Sequence, residues 1–269
     1  MDERTVAIAL GKAGYSVHLH AGVWWHKVAP FYCKPVDPLR ELLPRSSVPG
    51  LRHSLIGYSH LVPDRRHATR TWSIMSLPSE GLREFNIERL KMGRRTSVRK
   101  ALKQVEIRRI DAIAPVLDRM NEISISTAQR TGHGQPPEYY TKYRKEWTDF
   151  MIREYSIPDR EWWGAYVDKK LAAYFYAYLI ASTMYISAGK SHSDCMKLRP
   201  NDALVFSFLE YCRDLTGCKQ VVYGDWTPGV PSLNEFKEQF GFEKTDLPVY
   251  RYERVSFGLL SKLGRLTRR

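Results

Sequence analysis

A chain of 269 residues, 43% apolar and 26% charged, is long enough to bury a sizeable core and has the composition of an ordinary soluble globular protein. Its formal net charge of +13 favours polyanionic partners (RNA, DNA, a phosphate-bearing cofactor or an anionic membrane surface), and no run approaches the ~18 apolar residues of a membrane span. Four cysteines with no CxxC pair, and a start (MDERTVAIALGKAG) without a long apolar core, point to a reduced cytoplasmic compartment.

Residues 1–80 read as strand-rich and irregular. Tyr15–Trp25 alternates apolar and polar residues, as a strand does. His18 and His20 share one face of it, but no third ligand cluster follows nearby, so they read as structural or solvent-facing and no metal is expected. Pro30, Pro35, Pro38 and Pro44 break the next stretch into turns, and Leu51–Val62 and Thr69–Leu77 read as further strands.

Residues 79–104 read as one helix starting at Ser79. Its second half is crowded with cations, among them Arg94, Arg95, Arg99 and Lys100, and Arg108 and Arg109 follow on a predicted strand. Such a run is either a solvated face or a grip on phosphates, with few acidic residues in the run to pair it. It lacks the aromatic interleaving of a single-strand stacking platform. Asp111–Thr127 reads as a helix capped by Asp111, Arg130–Pro137 as a flexible Gly/Pro loop holding His133, and Glu138–Tyr155 as an aromatic helix.

The last third is the most regular. Trp162–Val167, Leu171–Ile180 and Met184–Ala188 form a predicted antiparallel meander, with turns at 168–170 and 181–183. A polar loop leads to a helix bracketed by Pro200 and Gly217, then a short buried strand, Gln220–Gly224. The stretch Tyr223–Phe242 reads as a strand end, a loop and a helix with Ser232 and Glu235 as a capping box. Leu233, Phe236 and Phe240 make an apolar stripe, with Lys237 at its edge: either a lysine snorkelling past the core or a cation held for an anion. Val249–Val255 is the last predicted strand, and a basic tail follows. The expected organisation is a strand-rich half ending in a basic helix (1–110), an α/β domain (111–255) and the tail (256–269).

The order β-β-β, loop, α, β, loop, α, β resembles the GNAT acyltransferase fold, and more narrowly its Fem-type branch, the peptidoglycan-bridge aminoacyltransferases and their relatives. The matching residues are Leu198–Leu204 (LRPNDAL), Gly224, the S-L-x-x-F-K-x-x-F-G-F segment from Ser232 to Phe242, and R-R-x-x-x-R-K-A from Arg94 to Ala101. The resemblance covers about residues 80–255. It implies a mixed, mainly antiparallel sheet flanked by helices (α/β, or α+β), preceded by a shortened duplicate of the same half. Acetyl-CoA users of this fold cradle the donor's pyrophosphate in R/Q-x-x-G-x-G/A at a helix N-terminus. The corresponding KLRPNDAL has no glycine, and Fem-type relatives, which also lack that loop, take their acyl group from aminoacyl-tRNA. No tightly bound cofactor is implied, and the donor co-substrate is aminoacyl-tRNA or acyl-CoA.

Acyl transfer needs an amine nucleophile, a route for its proton and stabilisation of the oxyanion. The resemblance places Lys237 by the reacting ester. Asp225, after the strand-end glycine, either orients the amine and accepts its proton or caps the loop. Tyr185, Tyr223, Trp226 and Phe236 line the acyl or acceptor pocket or pack the core, while Lys197, Arg199 and Asn201 are donor-binding candidates. Glu235 is read as a cap, not a base. A covalent route through Cys195, three residues after His192, is the weaker option because no orienting group is evident. The implied function is transfer of an acyl or aminoacyl group to an amine; the alternative is a non-catalytic nucleic-acid-binding protein on the same fold.

Overall fold

The computed structural model describes residues 1–44, 48–50, 52–132 and 134–254; the expectations for His133 and for the tail 256–269 lie outside them. The chain divides into two compact units, Met1–Ser73 with the stretch from Asp246, and Ile74–Thr245. This differs from the sequence boundary at 110/111. The reason is packing: the basic helix before residue 104 lies against the helix at 200–214 and belongs to the larger unit.

The smaller unit opens with α1 (Glu3–Lys12), a helix that pattern reading left unassigned. Asp2 caps it, accepting a hydrogen bond from the Thr5 N–H at 2.8 Å. Strands β1 (Val17–His20), β2 (Val23–Ala29), β3 (Tyr32–Pro35) and β4 (Gly57–Leu61) follow, and the last strand, β11 (Glu243–Glu253), pairs antiparallel with β4. The predicted 15–25 strand is in fact a hairpin, because Ala21 and Gly22 both take left-handed φ. Trp25, 0% exposed, anchors a small core with Val23, Cys33, Leu42 and Tyr58. His18 stacks on His53 at 4.0 Å, and burial with the neighbouring imidazoles holds it down at about 4.

The larger unit contains the part of β5 (Arg70–Leu77) from Ile74 onward, α2 (Ser79–Arg83), α3 (Met92–Leu102), β6 (Glu106–Arg109), α4 (Leu117–Thr131), α5 (Pro137–Lys142), α6 (Arg144–Tyr155), β7 (Arg160–Val167), β8 (Lys170–Ile180), β9 (Thr183–Ser191), α7 (Pro200–Asp214), β10 (Gln220–Asp225) and α8 (Pro231–Glu238). Its strands lie in the order β5-β10-β9-β8-β7-β6. All these pairs are antiparallel except β9 with β10. The expected mixed, mainly antiparallel sheet flanked by helices is therefore present. β8 explains its own sequence, being buried on both faces. Phe175 and Ala177 face the core that includes α2, α3 and α7, whereas Tyr174 and Tyr176 face that of α4, α5 and α6.

Three predicted helices were drawn too long or capped wrongly. The 79–104 helix breaks at Asn86, whose side chain accepts from the Glu88 and Arg89 N–H groups and holds a short 3-10 turn ahead of α3. Ser79 does not cap α2; Pro78 occupies that position. Asp111 caps nothing, since α4 starts only at Leu117 after a 3-10 turn, and Gly132 at φ 65° closes it. The 138–155 helix splits at Tyr143 into α5 and α6.

One geometric feature positions everything below. β9 and β10 pair over three residues only, Thr183–Tyr185 against Gln220–Val222. Beyond them β9 stays with β8 out to Ser191, while β10 shifts register and pairs Asp225 with Ile74 of β5. The two parallel strands part at their C-terminal ends, where α7 and α8 begin. Arg94 of α3 ties these helices together. It makes an ion pair with Asp202 of α7 at 2.6 Å, its Nε donates to Gln239 Oε1 at 2.8 Å, and its guanidinium lies 5.0 Å over Phe236 and 5.3 Å over Phe240. Arg94→Ala is expected to cost about 3 kcal/mol in urea unfolding, because it strands the buried Asp202 carboxylate. Arg94→Met with Asp202→Leu should recover most of that loss.

Candidate active site

The sequence at the end of β10, Tyr223-Gly224-Asp225, loses β9 as a neighbour while Asp225 still pairs with Ile74 of β5. A carbonyl released from a ladder needs another donor. Lys237 supplies it: its Nζ donates to the Asp225 carbonyl at 2.9 Å and lies 5.2 Å over the Tyr223 ring. Lys237 is 4% exposed, so it sits inside rather than at the edge of the stripe. Burial pushes its amine down to about 8, opposed by the Asp225 charge. Tyr223 is half-buried, and burial raises its phenol to about 12. Its hydroxyl lies against Gly189 of β9, where an added Cβ would come within 2.9 Å, so a bare backbone lets the tyrosine fill the gap between the parted strands.

The predicted capping box is absent. Val230 stands at the N-cap of α8 with no side-chain hydrogen bond, Pro231 begins the helix, and Ser232 and Glu235 are exposed. Buried Asn234 instead holds the preceding loop, donating to the Thr227 carbonyl at 2.8 Å and accepting from its N–H at 3.2 Å. Leu233 of the predicted stripe is exposed.

The remaining candidates divide in two. Tyr223, Lys237 and the Asp225 backbone meet at the strand opening, and the Asp225 side chain is exposed. Trp226 is half-buried with the Lys244 ammonium 4.4 Å over its ring. Tyr185 is buried and stacked on Tyr178 at 5.3 Å. Phe236 packs against the core beneath Arg94. Lys197 and Arg199 are exposed at the start of α7; Arg199 takes a left-handed φ of 54° and pairs with both Asp202 and Ser97. The basic helix is more engaged than its sequence implies: Arg94 pairs with Asp202, and Arg95 and Arg99 both pair with Glu88, leaving Lys100 exposed. At Cys195 burial raises the thiol, and the His192 ring accepts from the Asp194 N–H instead of meeting the sulfur.

Pattern reading missed a second cationic centre on β9 itself. Lys190 donates to Ser124 Oγ and Tyr140 Oη, both at 3.0 Å, and burial alone lowers it to about 8. Beside it, Ser191 Oγ accepts from Arg130 at 3.2 Å and from Asn201 at 3.0 Å. Burial also lowers the Arg130 guanidinium. The available signal was the G-K-S run, read as loop but in fact the end of β9. Together these residues put two amines that burial lowers to about 8 and a desolvated guanidinium around the end of one strand, which suits a negatively charged or developing-oxyanion ligand.

No protein-family model matches the chain, and no curated protein matches it. Solved structures do. FemX aligns at TM-score 0.63 and 12% identity over 96% of this chain and 92% of its own. The C-terminal domain of a candidate lysylphosphatidylglycerol synthetase from Agrobacterium fabrum aligns at 0.59 and 10% identity, over 96% and 90%. L-PGS from Bacillus licheniformis aligns at 0.53 and 11% identity, over 96% and 94%. The Fem-like GNAT resemblance therefore holds at the level of fold, and it extends beyond residues 80–255.

An unfolded lysine keeps its proton to about pH 10.4. The folded chain therefore binds fewer protons than the unfolded chain between about pH 8 and that value, and stability attributable to Lys237 and Lys190 rises with pH across this window. The unfolding free energy of wild type relative to Lys237→Met or Lys190→Met should climb from pH 8 to 10. A flat difference would show that neither amine is depressed.

Proposed function

We propose that this chain is an N-acyltransferase that moves an acyl or aminoacyl group from an activated donor to an amine by direct transfer. The observation that carries this reading is the buried Lys237, held over the opening where β9 and β10 part. The acceptor amine attacks the acyl carbonyl, the bond to the donor's oxygen or sulfur breaks, and an amide forms. Lys237 faces the developing oxyanion as an ammonium. With its proton held only to about pH 8, it can also pass that proton to the departing oxygen. Asp225, at the mouth, orients the incoming amine or accepts its proton. Tyr223 and Trp226 border the acyl group, and Lys190, Arg130 and Asn201 hold the negatively charged part of the donor.

An RNA-borne donor is favoured over acyl-CoA. At the α7 N-terminus the Arg199 side chain reaches across to Asp202 and Ser97, and Asp202 puts a carboxylate in the first turn. Both features disfavour a diphosphate there, and KLRPNDAL offers no glycine for close backbone approach.

The direct test is mass spectrometry of products from acetyl-CoA, longer acyl-CoAs and charged tRNA with a pool of amines. Transfer from charged tRNA is expected. Lys237→Met should lower the rate by about 100-fold or more, on the scale of losing one oxyanion donor, in a chain that circular dichroism shows to be folded at the assay temperature. A wild-type rate in that variant would remove Lys237 from the chemistry.

A further inference from the structure

On the far edge of the same unit, β6, the β7–β8 turn and the approach to α4 enclose a groove of about 490 Å³ that the transfer site does not use. Arg108, Arg109, Arg119, Lys169 and Lys170 line it, against the single carboxylate of Asp111. From the geometry we infer that this groove binds the sugar–phosphate backbone of an RNA. The inference deepens the transferase reading by giving the donor's carrier a place to rest.

The cations are held in place before any ligand arrives. The Arg108 guanidinium lies 3.9 Å over the Tyr166 ring, and its nearest carboxylate, Glu106, is also 3.9 Å away. Arg119 is fixed by Glu122 at 2.7 Å and by the Leu171 carbonyl at 2.9 Å. Arg109 pairs with Glu161 at 3.1 Å, outside the groove. Among the described residues neither Lys169 nor Lys170 has a carboxylate within ion-pair distance. Three of the five charges are therefore available at little cost.

The turn adds a second, independent observation. Asp168 and Lys169 occupy its two central positions at φ 47° and 64°, where glycine is the comfortable residue. A lysine there costs backbone strain and keeps an ammonium at the groove's rim. Pairing of β6 with β7 sets Arg108 opposite Gly164, and the turn follows Val167. At about 3.3 Å per residue the charge row from Arg108 to the turn runs roughly 10 Å, enough for about two or three phosphates of one strand. That length exceeds what a single small anion needs. None of the large exposed apolar side chains lines the groove, so it offers a bilayer nothing to insert.

The test is fluorescence anisotropy with labelled bulk tRNA between 50 and 200 mM salt. Arg108→Gln/Lys169→Gly/Lys170→Gln should weaken binding by about tenfold or more and reduce the slope of log K against log salt by about 2. Lys169→Gly alone should weaken binding while melting at or above the wild-type temperature, which separates lost contacts from lost folding. Wild-type affinity and slope in the triple variant would overturn the proposal. So would loss of binding to phosphatidylglycerol vesicles with RNA binding unchanged. Lys237→Met should bind RNA like wild type. If the triple variant loses RNA binding but wild type transfers from no donor, the groove stands and the transferase reading falls.

Discussion

The structure depends on the early separation of two parallel strands. β9 and β10 share three residue pairs and then part, and every interaction at the site answers that separation. The gap has to be filled and the released backbone groups satisfied. Tyr223 fills it against the bare backbone of Gly189, and Lys237 donates to the carbonyl of Asp225. Burying a lysine for this purpose is costly, and the cost appears as an amine whose proton is held to about pH 8. A structural need and a chemical capability thus reside in one side chain. The lysine satisfies the strand end, and the same burial loosens its hold on a proton, the property the proposed transfer draws on.

Charge is distributed with similar economy. A net charge of +13 reads in sequence as a coat of cations, yet the arginines of α3 are largely spoken for. Arg94 reaches Asp202 and Gln239 and lies over two phenylalanines, joining α3, α7 and α8 around the opening. Arg95 and Arg99 share Glu88, which stands on the 3-10 turn that breaks the predicted helix. Cations without a carboxylate partner among the described residues lie elsewhere: on β9, where Lys190 meets two hydroxyls and the Tyr140 ring, and at the turn between β7 and β8. Where positive charge is available thus differs from where it is densest in the chain.

Much of the architecture was legible because it is local. The meander from 160 to 191 follows from apolar runs separated by short turns, and α7 from its bracketing proline and glycine. Lys237 stood out because an isolated cation beside an apolar stripe is visible on a helical wheel. The errors were also local in cause. A side chain that competes with the helix for backbone N–H groups, as Asn86 does, looks like any polar helix residue, and a Ser-x-x-Glu pattern looks like a cap even when Val230 takes that position. The G-K-S run was read as loop because its strand partner, β8, lies well upstream and supplies the pairing that extends β9 to Ser191.

What the sequence determined by itself was the order of elements, the apolar faces and the identity of one unusual lysine, since periodicity and spacing are properties of neighbours along the chain. What only the tertiary structure decided was which charges are paired, which are buried and where two strands part. The pairing of Arg94 with Asp202, the seclusion of Lys190 beneath Ser124 and Tyr140, and the depth of Lys237 depend on groups tens of residues away. Desolvation and ion pairing act through space, and no local pattern encodes them.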